Sequence, residues 1–182
     1  MSIPPAFCAL EPLILASASP RRKDFLFKLG LQFDVIAAEV DEEALAGENP
    51  EKFVQRIAGA KAQAISDSNP DAWVLGADTA VVWGSTIMGK PSDAEEAFHM
   101  LRKLSGQWHE VWSGFSILHK ASRKSCLRAV KTKVHFGEQE DAAIWAYIHT
   151  GEPMDKAGAY GIQGVGGFLV DEINGSCSNV VG

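Results

Sequence analysis

Along its 182 residues the chain sets short apolar runs between polar stretches in a pattern that predicts both strands and helices. Leu13-Ile14-Leu15-Ala16 is a continuous apolar run, short enough for a buried strand. Pro20 suits the first position of a helix, predicted to run to Leu29 with Gly30 as its stop. Gln32 to Ala37 reads as a strand, followed by the acidic loop Glu39-Val40-Asp41-Glu42-Glu43. Asn49-Pro50 opens a second helix, given an apolar stripe by Phe53, Ile57, Ala60 and Ala64. Trp73 to Trp83 is a long apolar strand that turns at Gly84-Ser85. Ser92 and Glu95 form a capping box for a third helix, with Ala94, Phe98, Leu101 and Leu104 toward the core.

In the second half, Val111 to Leu118 and Cys126 to Phe136 read as paired strands joined near Ser122, the most plausible hairpin in the chain. A fourth helix after Gly137 carries Ile144, Tyr147 and Ile148. Gly151 to Gly167 is glycine-dense and irregular, and Phe168 to Ile173 is a last strand. Strands and helices mix without strict βαβ alternation. The expected fold class is therefore α/β, a mixed twisted sheet with flanking helices rather than a clean doubly wound fold.

Composition narrows the function classes. Hydrophobic residues at 46% and charged residues at 22% fit a globular protein. A net charge of −6 argues against a general nucleic-acid binder, so any polyanionic ligand must meet a local cluster of cations. No apolar run approaches the roughly 18 residues of a membrane span, so no membrane partner is expected. The first twelve residues lack a basic n-region and do not read as a secretory signal. Cys8, Cys126 and Cys177 are odd in number and in no metal-type spacing, which points to a reducing cytoplasm.

Ser17-Ala18-Ser19-Pro20-Arg21-Arg22, straight after the first strand, suits an anion site. The helix it opens directs free N–H groups at the strand end, and the two arginines add forked donors that match phosphate oxygens. An ordinary capped helix with solvated arginines is the plain alternative. Asp78 stands in Val74-Leu75-Gly76-Ala77-Asp78-Thr79-Ala80-Val81-Val82, where alternation puts Val74, Gly76, Asp78, Ala80 and Val82 on one face. A carboxylate there must meet a cation, a metal or a cluster of donors. Gly76 is expected to leave room for a ligand. Lys90, on the turn Gly89-Lys90-Pro91, and Lys61, beside the stripe of the second helix, could be solvated singly. With Asp78 and Glu39 they make the set that a metal–polyphosphate site requires: Mg²⁺ takes one or two carboxylates plus phosphate oxygens, and cations neutralise the rest. The ordered stretch Asp155 to Gly164 adds Lys156 and Gln163, whose amide suits a base edge. Phosphate-loop, dinucleotide, His-Glu-x-x-His and Gly-x-Ser-x-Gly signatures are absent.

Five segments in order resemble the Maf family of nucleotide pyrophosphatases. They are Leu15 to Arg22, Gly76-Ala77-Asp78-Thr79, Gly89-Lys90-Pro91, Asp155 to Gly164, and Gly175 to Gly182. The resemblance implies an α/β fold with two lobes around a deep cleft, related to inosine triphosphatases. It implies cytoplasmic hydrolysis of a nucleoside triphosphate to the monophosphate and pyrophosphate. Asp78 falls on the family's acid, the acceptor of a proton from the attacking water, and Arg22, Thr79 and Gln163 fall on its specificity positions. The form of the Asp155 to Gly164 motif looks like the subgroup acting on dTTP and UTP. The site expected on this basis has Asp78, Lys61 and Lys90 as catalytic groups. Ser17, Arg21, Arg22, Thr79, Asp155, Lys156 and Gln163 bind substrate, and Glu39 and Asp78 hold a divalent metal, Mg²⁺ or Mn²⁺. Which carboxylate is base and which is ligand stays open, and a homodimer is compatible with the pattern. The expected organisation is one domain over 1–182 with a short extension at 1–12, lacking the Leu-Pro and final helix with which the family continues past this point. The alternatives are a catalytically weak nucleotide-binding regulator of cell division or septum formation, and a pyrophosphatase for modified nucleotides.

Overall fold

A computed structural model describes residues 11–182 of the chain. Among the described residues, seven strands and five α-helices follow in the order β1 (Leu13–Leu15), α1 (Pro20–Lys28), β2 (Asp34–Val35), α2 (Pro50–Ser66), β3 (Trp73–Trp83), β4 (Thr86–Met88), α3 (Ala94–Leu104), β5 (Trp108–His119), β6 (Lys124–Phe136), α4 (Asp141–Ile148), β7 (Val170–Asn174) and α5 (Cys177–Val181). Three 3-10 turns fill the stretch between α4 and β7. The strands form one sheet in the order β2-β1-β3-β5-β6-β7, with β4 pairing off β3. It is mixed, as expected: β1 runs parallel to β2 and β3, whereas β3–β4 and β6–β7 are antiparallel. Among the described residues, no helix is long and apolar enough to cross a membrane. Cys8 and most of the 1–12 extension lie outside the described residues, while Cys126 and Cys177 are free thiols.

Two compact units can be distinguished. The first comprises the chain up to Asp78, Gly114–Ala129 and Gly182; the second comprises Thr79–Ser113 and Val130–Val181. In the first, Ile14, Ala16, Ala62, Ala72 and Val74 form a small core from β1, α2 and β3. In the second, a larger core gathers Leu101, Leu104, Phe136, Ile144, Tyr147 and Leu169, each no more than 1% exposed.

Several sequence expectations need correction. The strand expected over 32–37 pairs only at Asp34–Val35. Helix α2 buries Phe53, Val54, Ile57, Ala58, Lys61 and Ala62, while Ala60 and Ala64 are exposed. The reason is Gly76. A Cβ there would collide with the Ala58 carbonyl and come within 2.7 Å of the Ala62 amide nitrogen, so the missing side chain lets that face of α2 lie flush on β3. Gly76 thus serves helix packing rather than ligand approach. Helix α3 is capped by Asp93, whose carboxylate accepts from Glu96 N at 2.8 Å, and Glu96 reaches back to Ser92 N at 2.7 Å. The helix turns Ala97, Leu101 and Leu104 inward, leaving Ala94 exposed and Phe98 half-buried. The last strand runs Val170–Asn174, and β4 and α5 are additional elements. The 120–123 turn joins β5 and β6 as expected.

Candidate active site

The first unit brings five of the candidate residues to one end of β1 and to the face of β3 next to it. Ser17 follows β1 and is buried, and its hydroxyl accepts from Ser19 N at 3.2 Å, which fixes the turn into α1. Arg22, one helical turn into α1, points back under that turn. Its Nη1 donates to Ser17 Oγ at 3.2 Å and to the Ala77 carbonyl at 2.7 Å, so the residue before Asp78 is tied to the turn. Burial pushes the Arg22 guanidinium below its ordinary value and Arg21 pushes the same way, while Asp78 and Glu42 pull it back up. Two guanidiniums and the opening turn of α1 therefore stand together as a concentration of positive charge.

Asp78 lies on the buried face of β3, in the alternating register expected. It is 8% exposed. Lys61, 7% exposed on α2, supplies the cation it needs: Nζ donates to Asp78 Oδ1 at 2.9 Å. The same ammonium meets Glu42 Oε1 at 2.8 Å. Burial raises the Asp78 carboxyl above its ordinary value, and the attraction of Lys61 and Arg22 only partly offsets this. A carboxylate lifted by desolvation is a stronger proton acceptor when ionised.

Glu42 is the residue sequence reasoning missed. Within the acidic loop the expectation falls on Glu39. Glu39 is exposed, and Glu42, three residues on, is the loop acid that reaches Lys61. The segment from Ile36 to Asn49 has no regular structure and so no period from which to read its facing. Among the described residues, no group of three or more His, Cys, Asp or Glu side chains is arranged to hold a metal. Asp78 and Glu42, brought together on one ammonium, still supply the one or two carboxylates that a magnesium ion takes when phosphate oxygens complete its shell.

The second unit carries the remaining candidates. Thr79 shares a 2.9 Å hydrogen bond with Ser113, whose hydroxyl donates to the Asn179 carbonyl at 3.1 Å. Asn179 is itself buried and donates to Val111 O and Thr132 Oγ1 at 3.1 and 3.0 Å, which docks the Gly175 to Gly182 segment. Lys90 is exposed on its turn, and the Gly89 carbonyl accepts from Gly158 N at 3.0 Å, so that turn is joined to the Asp155 to Gly164 stretch. Lys156 is tied inward, donating to the Glu152 carbonyl at 2.6 Å and pairing with Asp155 at 2.7 Å. Gln163 is exposed at the tip of its loop.

A mixed α/β fold with a buried lysine–carboxylate pair beside an arginine-bearing strand-to-helix turn defines a class of protein suited to handling phosphate-rich anions. The chain belongs to the Maf family: the family described as Maf-like protein matches residues 12–182. It is 49% identical to the dTTP/UTP pyrophosphatase of Desulfotalea psychrophila over 172 residues, 94% of this chain and 88% of the relative. It is 49% identical to the protein of the same name from Myxococcus xanthus over 93% of this chain and 85% of the relative. A third relative so named, from Anaeromyxobacter dehalogenans, is 51% identical over 93% of this chain and 87% of its own length.

Proposed function

We propose that this protein hydrolyses nucleoside triphosphates, dTTP and UTP foremost, to the nucleoside monophosphate and pyrophosphate. The observation that carries the reading is the buried Asp78 carboxylate, lifted by desolvation, held by Lys61 and backed by Arg22. The names of its relatives supply the substrate.

In this reading Asp78 accepts a proton from water as the water oxygen attacks the α-phosphorus. The bond from that phosphorus to the oxygen bridging to the β-phosphate breaks, and pyrophosphate leaves with that electron pair. Lys61 keeps Asp78 oriented and ionised between turnovers. Arg21, Arg22 and the Ser17 turn neutralise charge on the polyphosphate, with Lys90 and Lys156 as further cations. Thr79 and Gln163 take the sugar and base, as their match to the family's specificity positions implies, the Gln163 amide suiting a base edge, and Asp155 completes the substrate-binding set. A divalent cation, Mg²⁺ or Mn²⁺, taken by Asp78 and the acidic loop through Glu42 or Glu39, would supply charge neutralisation of the phosphates. The free thiols support a reducing cytoplasm as the place of action, and a homodimer is compatible with the reading.

The test is a pyrophosphate-release panel over dTTP, UTP, dCTP, dATP, dGTP and modified nucleotides, with Mg²⁺. Stoichiometric pyrophosphate from dTTP and UTP is expected. Tight binding of dTTP without release would replace the enzyme by a nucleotide-binding regulator.

A further inference from the structure

Gln163 poses a physical problem. An amide that reads a base edge must be held to within a fraction of an ångström, yet Gln163 is exposed and lies in a stretch with no regular secondary structure to hold it. The backbone on both sides of it is fixed by two side chains that no sequence motif had singled out. On the near side, Gly161 N donates to the Tyr147 hydroxyl at 3.2 Å. On the far side, Val165 N and Gly166 N donate to the two oxygens of the Glu152 carboxylate at 2.8 and 3.1 Å. The Tyr147 hydroxyl donates to Glu152 Oε1 at 3.0 Å and closes the ring.

The two anchors are themselves rigid. Tyr147 is 1% exposed in the α4 face of the larger core, and the Glu152 carbonyl accepts from Lys156 at 2.6 Å. Burial tends to raise the Glu152 carboxyl, but the Gly166 and Val165 amides, the Tyr147 hydroxyl and Lys156 outweigh it and hold it below its ordinary value. It is therefore a charged acceptor at neutral pH, and charge-assisted bonds of this kind are the strong ones. The fit leaves no slack: a Cβ at Gly164 would collide with the Glu152 carboxylate, and one at Gly166 with the Tyr147 hydroxyl.

We propose that Tyr147 and Glu152 form a positioning clip that sets the Gln163 amide for base discrimination, without touching the nucleotide themselves. The proposal rests on the reading of Gln163 as the base-recognition residue.

The experiment compares wild type with Q163A, Y147F, E152Q and the double variant Y147F/Q163A. The readouts are kcat and KM for dTTP and for dCTP, together with thermal unfolding. For Y147F and E152Q the expected result is a KM for dTTP raised about tenfold, on the order of one lost hydrogen bond to an ionised group. The kcat stays within about twofold, and the dTTP-over-dCTP preference in kcat/KM falls toward that of Q163A. The double variant should discriminate no worse than Q163A alone, because both changes act through one amide. Y147F removes only a hydroxyl, so it keeps the test open if E152Q folds poorly. If Y147F and E152Q lower the unfolding temperature while the preference stays at the wild-type value, the clip is merely structural and the proposal is overturned. If Q163A itself keeps the wild-type preference, the reading of Gln163 fails first, and the clip loses its role with it.

Discussion

The Lys61 ammonium reaches from α2 to Asp78 Oδ1 on β3 at 2.9 Å, with both side chains almost wholly buried. The pair is held in the interior against the cost of removing two charges from water. That cost shows in Asp78, whose carboxyl is lifted above its ordinary value by desolvation despite the lysine beside it. Stability and chemistry pull in opposite directions at this position, and the first two predictions follow from that opposition.

Asp78→Asn should leave a folded protein with turnover reduced by about 10²–10⁴-fold, the range of a lost general base. A group whose folded pKa is raised stabilises the fold at low pH and loses that contribution as pH rises through the folded value. At neutral pH the ionised Asp78 therefore costs stability, and because Lys61 keeps Glu42 as its counter-ion when the carboxylate becomes an amide, the variant should unfold within a few degrees of wild type. Pyrophosphate release and thermal unfolding, measured side by side, decide this; near-normal rates would remove Asp78 from the chemistry.

Lys61→Met should behave differently. It strands a buried carboxylate with only Arg22 to offset its burial, and breaking a buried pair from one side costs on the order of 3–5 kcal/mol. Denaturant unfolding at neutral pH should show the loss, and lowering the pH should recover part of it as Asp78 takes up a proton. An unchanged midpoint would mean that the pair is not the anchor its geometry implies.

Gly76→Ala places a methyl group against the Ala58 carbonyl, which belongs to a helix backbone and cannot swing aside. Overpacking of this kind costs typically about 1–3 kcal/mol. Because α2 carries Lys61, its displacement from β3 should also lower activity. Equal unfolding temperatures for wild type and variant would contradict the packing role given to Gly76.

His109 is 2% exposed, with Nε2 against the Tyr160 hydroxyl at 2.8 Å and Nδ1 buried without a hydrogen-bond partner among the described residues. Burial, with a smaller push from His135, lowers its pKa to about 4. The fold thus keeps this imidazole neutral, while the unfolded chain takes up a proton near pH 6.5. The contribution is fully present above about pH 6.5 and is lost progressively as pH falls toward 4. Between pH 7 and pH 4.5 the loss should be on the order of 2 kcal/mol. His109→Gln, which cannot charge, should lack that component: the gap between wild-type and variant stability, from urea unfolding, should narrow on acidification. A gap that holds constant with pH would refute the assignment.

Local patterns were legible where one element decides its own shape. The strand–turn–helix from Leu13 to Lys28, the buried alternation of Val74, Gly76, Asp78, Ala80 and Val82, and α4 with Ile144, Tyr147 and Ile148 are all present as the residue periods predict. The α3 start was off by one residue because Ser92 and Asp93 are both competent caps, and the packing of Ala97, Leu101 and Leu104 selects between them. The stripe of α2 was misread because a small-residue face is apolar in more than one direction, and only a glycine on a distant strand settles which side lies flat.

By itself the sequence determined that a lone acid would be buried in a strand, that arginines would follow a turn suited to anions, and that five ordered motifs would mark the Maf family. Spacing along one chain is enough for the first two, because hydrophobic period and turn chemistry act over a few residues, whereas the third rests on the resemblance of the motifs themselves. The tertiary structure decided which partners those groups meet. Lys61 selects Glu42 from a loop of several acids, and Tyr147 and Glu152 seize the backbone on either side of Gln163. Such pairings join an irregular loop to a helix, and only close packing, which acts through space and not along the chain, fixes where an irregular loop faces.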